Sequence, residues 1–293
     1  LVRLCQLLVN RDLAWRAWCL GANTTPRYFN SGSAGVASRN ARKPDECGDC
    51  WILFIPGSLS QMNHTIPVIS MRSAECAATF TDSLRRFGFA ALSDHPLDMN
   101  RVNSIYEEWR AFFKTQEKFA YAFDPAQQDG YFGLQDAESA KGFAEQDFKE
   151  YFHYYPWGRC PSHLLDNVRA YYEESQTLAA QLLIWVEQHS PAEVKARYSQ
   201  PLSTMIDGSV ASLLRILHYP PQKGDSKAPR ANAHEDINLL TILPAADGPG
   251  LLVKHRDGQW ITVPNEPDTV IINTGDMLQE VSGGYFPSTT HQV

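Results

Sequence analysis

The chain has 293 residues, 43% hydrophobic and 11% aromatic, with a formal net charge of −7. Such a composition belongs to a folded globular protein with room for one large core or two modest domains. The acidic balance argues against nucleic acid or an anionic membrane as a partner, no run approaches the ~18 apolar residues of a membrane span, and six cysteines are too few for a disulfide framework; a cytoplasmic protein is expected.

Residues 1–61 differ in character from the rest of the chain. They hold Cys5, Cys19, Cys47 and Cys50 and are basic on balance, whereas residues 62–293 are acidic. The first methionine is Met62, and the short apolar run Ile66-Pro67-Val68-Ile69 comes directly after it. The expectation is that the functional protein starts at Met62 and that 1–61 is an unassigned leader. Cys47-Gly48-Asp49-Cys50 has the spacing of a zinc or redox pair, but without a second pair no role is assigned to it.

Residues 62–200 read as a helical N-terminal region. Ser73 is positioned to cap a helix running to about Arg86, with Ala77, Phe80, Leu84 and Phe87 at helical spacing and Gly88 as its stop. A second helix is predicted from Asp98 to about Phe119, with Val102, Ile105, Trp109, Phe112 and Phe113 as core. Gln127 to Gly142 reads as a loop, Asp147 to Phe152 as the start of an aromatic strand, and Ser162 to His189 as a third helix. Phe132, Phe143 and Tyr131 are loop aromatics that fit either a pocket wall or core packing.

From residue 201 the period changes to that of strands. Ser212–Tyr219, Ala233–Leu243, Leu251–His255, Gln259–Val263 and Thr269–Asn273 are the predicted strands. Asp257-Gly258 between two alternating runs is a hairpin signal, and Thr274-Gly275-Asp276 reads as a turn. Short strands behind a helical preface suggest a mixed, mainly β fold of the sandwich or jelly-roll kind.

The chemistry concentrates in His234-Glu235-Asp236 and His291. Residues two apart on a strand project to one side, so His234 and Asp236 can grip one metal while Glu235 points away. Two imidazoles and a carboxylate on one face of an octahedral ion form the ligand set of non-haem Fe(II) oxygenases. Taken alone, His-x-Asp is common by chance. His218 alternates with Tyr219 and is expected to face away.

Leu214-Arg215-Ile216-Leu217-His218-Tyr219-Pro220-Pro221, Ala233-His234-Glu235-Asp236-Ile237-Asn238-Leu239-Leu240-Thr241-Ile242-Leu243, Val270-Ile271-Ile272-Asn273-Thr274-Gly275-Asp276 and Ser288-Thr289-Thr290-His291 together resemble the isopenicillin N synthase-like branch of the 2-oxoglutarate/Fe(II) dioxygenases. Ile66-Pro67-Val68-Ile69 and Asp147-Phe148-Lys149-Glu150 agree, so the resemblance spans about Met62 to Val293. It implies a double-stranded β-helix (jelly roll) core over 201–293, with Fe(II) held by His234, Asp236 and His291. It also implies 2-oxoglutarate as co-substrate, its carboxylate held in part by Tyr219, and O2 as oxidant of a small molecule. Succinate and CO2 would be released. Family members carry an Arg-x-Ser about ten residues beyond the distal histidine. This chain ends before that position, so an incomplete core without that cationic partner for the co-substrate is expected; Arg215 shares strand parity with Tyr219 but is not expected to take its place. The competing expectations are an isopenicillin N synthase-like oxidase that needs no 2-oxoglutarate, and a non-catalytic truncated remnant.

Overall fold

The computed structural model describes residues 2–8, 65–135, 147–221, 230–245 and 250–293. Helix α1 (Cys76–Phe87) buries Cys76, Phe80, Leu84 and Phe87 along one stripe. It ends on Gly88, whose φ of 68° lets its amide reach the Leu84 carbonyl. The expected Ser73 cap is displaced: its hydroxyl accepts from the Glu75 amide, and the helix begins after Glu75. Helix α2 (Met99–Phe112) starts where expected, with the Asp98 carboxylate accepting from the amides of Asn100 and Arg101. It stops short of Phe119 at Phe113, whose ring stacks on His218 at 5.2 Å between ring centres; a 3₁₀ turn, Glu117–Tyr121, follows. Helix α3 (Leu165–Gln188) buries Val168, Tyr171, Leu178, Leu182 and Val186, and the short α4 (Ala192–Lys195) comes after it.

The described strands are β1 (Val2–Leu8), β2 (Val68–Ser70), β3 (Phe89–Ser93), β4 (Gly130–Phe132), β5 (Glu150–Tyr154), β6 (Leu213–His218), β7 (Leu240–Pro244), β8 (Leu252–Lys254), β9 (Trp260–Thr262), β10 (Val270–Thr274) and β11 (His291–Gln292). Among the described residues they form an eight-stranded sheet in the order β2-β3-β10-β7-β1-β6-β5-β4 and a smaller sheet β11-β8-β9. Only the β2–β3 pair of these is parallel. One face of the large sheet meets the helices through Leu4, Ile216, Leu240, Ile242 and Ile272 against Phe80, Trp109 and Leu182. The other face, through Phe89, Ala91 and Ile271, meets Val253 and Ile261 of the small sheet and the adjoining Leu251. Burial on both faces explains why β10 reads as a continuous apolar run.

Two local expectations are corrected. The predicted strand 233–243 begins only at Leu240. Before it, His234 forms an isolated bridge to His291, and the next residues fold into a loop whose Asp236 and Ile237 carbonyls accept from the amides of Asp276 and Met277. Those amides open a helix, α5 (Asp276–Val281), where a turn was expected. The Asp257-Gly258 hairpin is as predicted: Gly258 has φ of 88°, and the His255 and Gln259 backbones pair across it.

A strand also forms within the segment set apart as a leader. β1 lies between β6 and β7, antiparallel to both, with Val2 opposite His218 and Leu7 opposite Leu213 and Thr241. Leu4 is fully buried there. The boundary at residue 61 and the Cys47–Cys50 pair fall outside the described residues.

Candidate active site

His234, Asp236 and His291 converge although no single strand holds them. The His234–His291 bridge exchanges both backbone hydrogen bonds, at 3.0 and 2.9 Å, and sets the two rings 4.3 Å apart. β11 pairs with β8, which ties His291 to the small sheet. The loop after His234 then returns Asp236 to the same point. One ligand atom from each residue lies within 4.8 Å of the others, and this is the cluster of metal-ligating groups found among the described residues.

The proton arrangement suits a cation. His234 Nδ1 is 2.8 Å from the Asn232 carbonyl and His291 Nδ1 is 3.1 Å from the Thr289 carbonyl. A carbonyl only accepts, so each Nδ1 carries the proton and each Nε2 presents a lone pair. Those Nε2 atoms stand 3.9 and 4.0 Å from Asp236 Oδ1, too far for hydrogen bonds and close enough to share an ion. Asp236 Oδ2 is occupied: the Thr241 hydroxyl donates at 2.6 Å and the Asn273 amide at 2.8 Å. Asn238 Nδ2 in turn holds Thr241. Oδ1 is therefore the oxygen turned to the histidines.

The electrostatics agree with that reading. Burial, then the neighbouring His291, pushes the His234 pKa down and keeps the ring neutral. Burial alone would raise Asp236, but His291 and the hydrogen bonds from Thr241 and Asn273 hold it below the usual carboxylate range. A neutral His234 beside an ionised Asp236 suits a divalent metal, which binds the deprotonated forms of both groups.

Behind the triad lies a hydrogen-bonded set of residues that the sequence does not single out. Asp147 accepts from both the backbone amide and the side-chain amide of Asn232, at 3.0 and 2.7 Å, and pairs with Lys149 at 2.7 Å. Asn232 is the residue whose carbonyl orients His234. The visible signals were a polar Asn273 ending an apolar run and an Asp-x-Lys before a strand, but neither names its partner.

The pocket at the triad is walled by Phe89, Leu217, Leu243, Leu251 and Val293, with Lys149, Arg215 and Tyr219 among its polar groups. Tyr219, expected to help hold the co-substrate, thus lines the same space as the His234–Asp236–His291 triad. The Arg230 guanidinium stands 5.9 Å from its ring centre. His218 faces away, hydrogen-bonded to Glu150 at 2.7 Å. Glu235 accepts from the Thr290 hydroxyl. Phe132 stacks on Tyr151, Tyr131 bonds Glu150, and Phe143 lies outside the described residues. A larger hollow of about 620 Å³ between α3 and residues 203–209 carries no metal-ligating cluster among the described residues.

Comparison with known proteins agrees. The profile of the 2OG-Fe(II) oxygenase superfamily matches residues 210–293, and that of the non-haem dioxygenase in morphine synthesis N-terminal region matches 66–174. A crystal structure of a Shewanella oneidensis protein assigned as an oxygenase is 52% identical, with a TM-score of 0.72, over 78% of this chain and 83% of its own. The chain belongs to the 2OG-Fe(II) oxygenase superfamily. Within the superfamily it is similar to gibberellin 2-beta-dioxygenase 4 of Arabidopsis thaliana, 24% identical over 79% of this chain and 75% of the relative. The structure of JOX2 in complex with 2OG, Fe and JA shares the fold at 23% identity, with a TM-score of 0.64 over 78% of this chain and 70% of that one. The oxygenase is thus a mixed α/β protein matching structures with a jelly-roll core, and its family uses Fe(II) and 2-oxoglutarate. No helix among its described residues is long and apolar enough to cross a membrane.

Proposed function

We propose that this oxygenase uses Fe(II), 2-oxoglutarate and O2 to hydroxylate or desaturate a small organic molecule, with His234, Asp236 and His291 as the metal ligands. In this reading residues 201–293 belong to a double-stranded β-helix and 62–200 form the helical region packed on it. The observation that carries the assignment is the donor set: two Nε2 lone pairs and one carboxylate oxygen, each fixed from behind by a hydrogen bond to its other polar atom.

Fe(II) held by these three residues would supply the oxidation of the small molecule by O2, coupled to conversion of 2-oxoglutarate to succinate and CO2. The chain supplies geometry. Asn232 and Thr289 hold the imidazole protons away from the ion, and Thr241 and Asn273 keep Asp236 ionised and turned inward. The Tyr219 hydroxyl is assigned to donate to a carboxylate of 2-oxoglutarate. Phe89, whose ring meets that of His291 edge-on at 5.3 Å, and the leucines of the pocket wall exclude water from the reacting side.

The test is oxygen uptake by the Fe(II)-loaded protein with and without 2-oxoglutarate. Uptake matched by succinate and lost in Asp236→Ala is the expected result. Uptake that does not require the 2-oxo acid would make the protein an oxidase instead.

A further inference from the structure

The segment leading into His234 carries one residue more than the strand it faces. Ala231 and Val293 exchange both backbone hydrogen bonds, at 3.2 and 3.1 Å, and so do His234 and His291. Asn232 and Ala233 therefore stand opposite the single residue Gln292. That is a bulge, a device that re-aims a neighbouring side chain and disturbs the ladder where it occurs. Within the bulge the Asn232 backbone amide donates to Asp147 Oδ1 at 3.0 Å, and its side-chain amide donates to the same oxygen at 2.7 Å.

One oxygen thus clamps Asn232 at two points. The other oxygen, Asp147 Oδ2, is 2.7 Å from the Lys149 ammonium. Asp147, Lys149 and Asn232 are all buried, and a buried carboxylate needs such partners to remain charged. From the clamped residue the Asn232 carbonyl accepts the Nδ1 proton of His234 at 2.8 Å. His291 is held differently, by the carbonyl of Thr289, a residue not hydrogen-bonded to Asp147. Asp147 precedes Asn232 by 85 residues. It lies within the stretch matched by the N-terminal dioxygenase profile, whereas the triad lies in the stretch matched by the oxygenase profile.

We propose that Asp147 is a positioning residue of the metal centre. It pins the bulge at Asn232, so that the Asn232 carbonyl holds the His234 imidazole with Nε2 toward the ion. The inference rests on the oxygenase reading and deepens it: the region preceding the metal-binding strands supplies part of the geometry of the centre.

The experiment uses the full chain loaded with Fe(II) without oxygen for affinity, and with Co(II) for proton NMR. In the Co(II) form of the wild type each ligand imidazole should give one paramagnetically shifted, solvent-exchangeable Nδ1–H signal. Asp147→Ala should lower Fe(II) affinity by about 10- to 100-fold, the usual loss when a group behind a metal ligand is removed. It should also move one of the two signals and speed its exchange with solvent while the other stays. Asp147→Asn keeps an oxygen that can accept from Asn232 and should recover part of the affinity. Asn232→Ala alone should cost affinity, but added to Asp147→Ala it should change the value by no more than about twofold, because the two act along one chain of contacts. Thermal midpoints report folding, and if Asp147→Ala does not fold the same cycle is read with Asp147→Asn.

The proposal falls if the Asp147 variants bind Fe(II) as the wild type does. It falls equally if both Nδ1–H signals move together, which would mean a general loosening, or if the losses at Asp147 and Asn232 simply add. Failure of the wild type to bind either metal would instead strike the oxygenase reading itself.

Discussion

Asp236 is the residue at which the triad is joined to the sheet behind it. Its two oxygens have different fates: Oδ2 accepts two hydrogen bonds while Oδ1 is turned to two imidazoles. If that division sets the ligand, Thr241→Val or Asn273→Ala should lower iron affinity by about 10- to 100-fold, the usual cost of losing a group that orients a metal ligand. Asp236→Ala should remove high-affinity binding altogether. Equilibrium dialysis against Fe(II) without oxygen measures all three. Equal affinity in Thr241→Val and wild type would mean the hydroxyl has no part in presenting Oδ1. The triad itself is legible as a short pattern, His-x-Asp with a distant His. Thr241 and Asn273 were not, because what makes them matter is their meeting at one oxygen across two paired strands.

At the scale of elements, local signals are legible in the sequence and non-local ones are not. The Asp257-Gly258 hairpin was legible because its turn chemistry is contained in four residues. Helix α5 was missed because Thr274-Gly275-Asp276 looks like a turn until the Asp236 and Ile237 carbonyls appear above its first amides. Gly275 has no Cβ where one would collide with the Asn238 and Asp236 carbonyl oxygens. Gly275→Ala should therefore displace the loop carrying Asp236, lowering both the thermal midpoint and iron affinity; an unperturbed affinity would show that the loop can yield. β1 was the least legible element, since its partners are more than 200 residues away in sequence. Truncating a fully buried leucine typically costs about 2–5 kcal/mol. Leu4→Ala should thus lower stability by that order and speed amide exchange along β6 and β7. Unchanged exchange in those two strands would argue that β1 is dispensable to the sheet.

Across the whole molecule, the buried charge cluster on β5 predicts how the fold answers acid. Glu150 is buried, which by itself would raise its pKa, but His218, Lys118 and Tyr131 all hydrogen-bond it and hold it below 4.5. The unfolded chain takes up that proton first as pH falls. The cluster's contribution is therefore complete above about pH 4.5 and is lost as pH drops through the lower folded value. Thermal midpoints of the metal-free protein from roughly pH 6 to pH 3 should show this loss. Glu150→Gln should lower the midpoint at pH 6 and flatten the slope below it; breaking a buried pair costs about 3–5 kcal/mol. A parallel slope in the variant would assign the acid sensitivity elsewhere, with Asp129 and its Arg159 pair the next group to test.

These scales meet in one assertion, that His234, Asp236 and His291 hold Fe(II) with positions open to 2-oxoglutarate. The direct measurement is an anaerobic titration of 2-oxoglutarate into the Fe(II)-loaded protein, followed by the visible charge-transfer absorption of a 2-oxo acid bound at iron. The band should grow to saturation at one equivalent per chain in the wild type and be absent in Asp236→Ala. Iron that binds without the band, or a band that survives Asp236→Ala, would contradict the assignment.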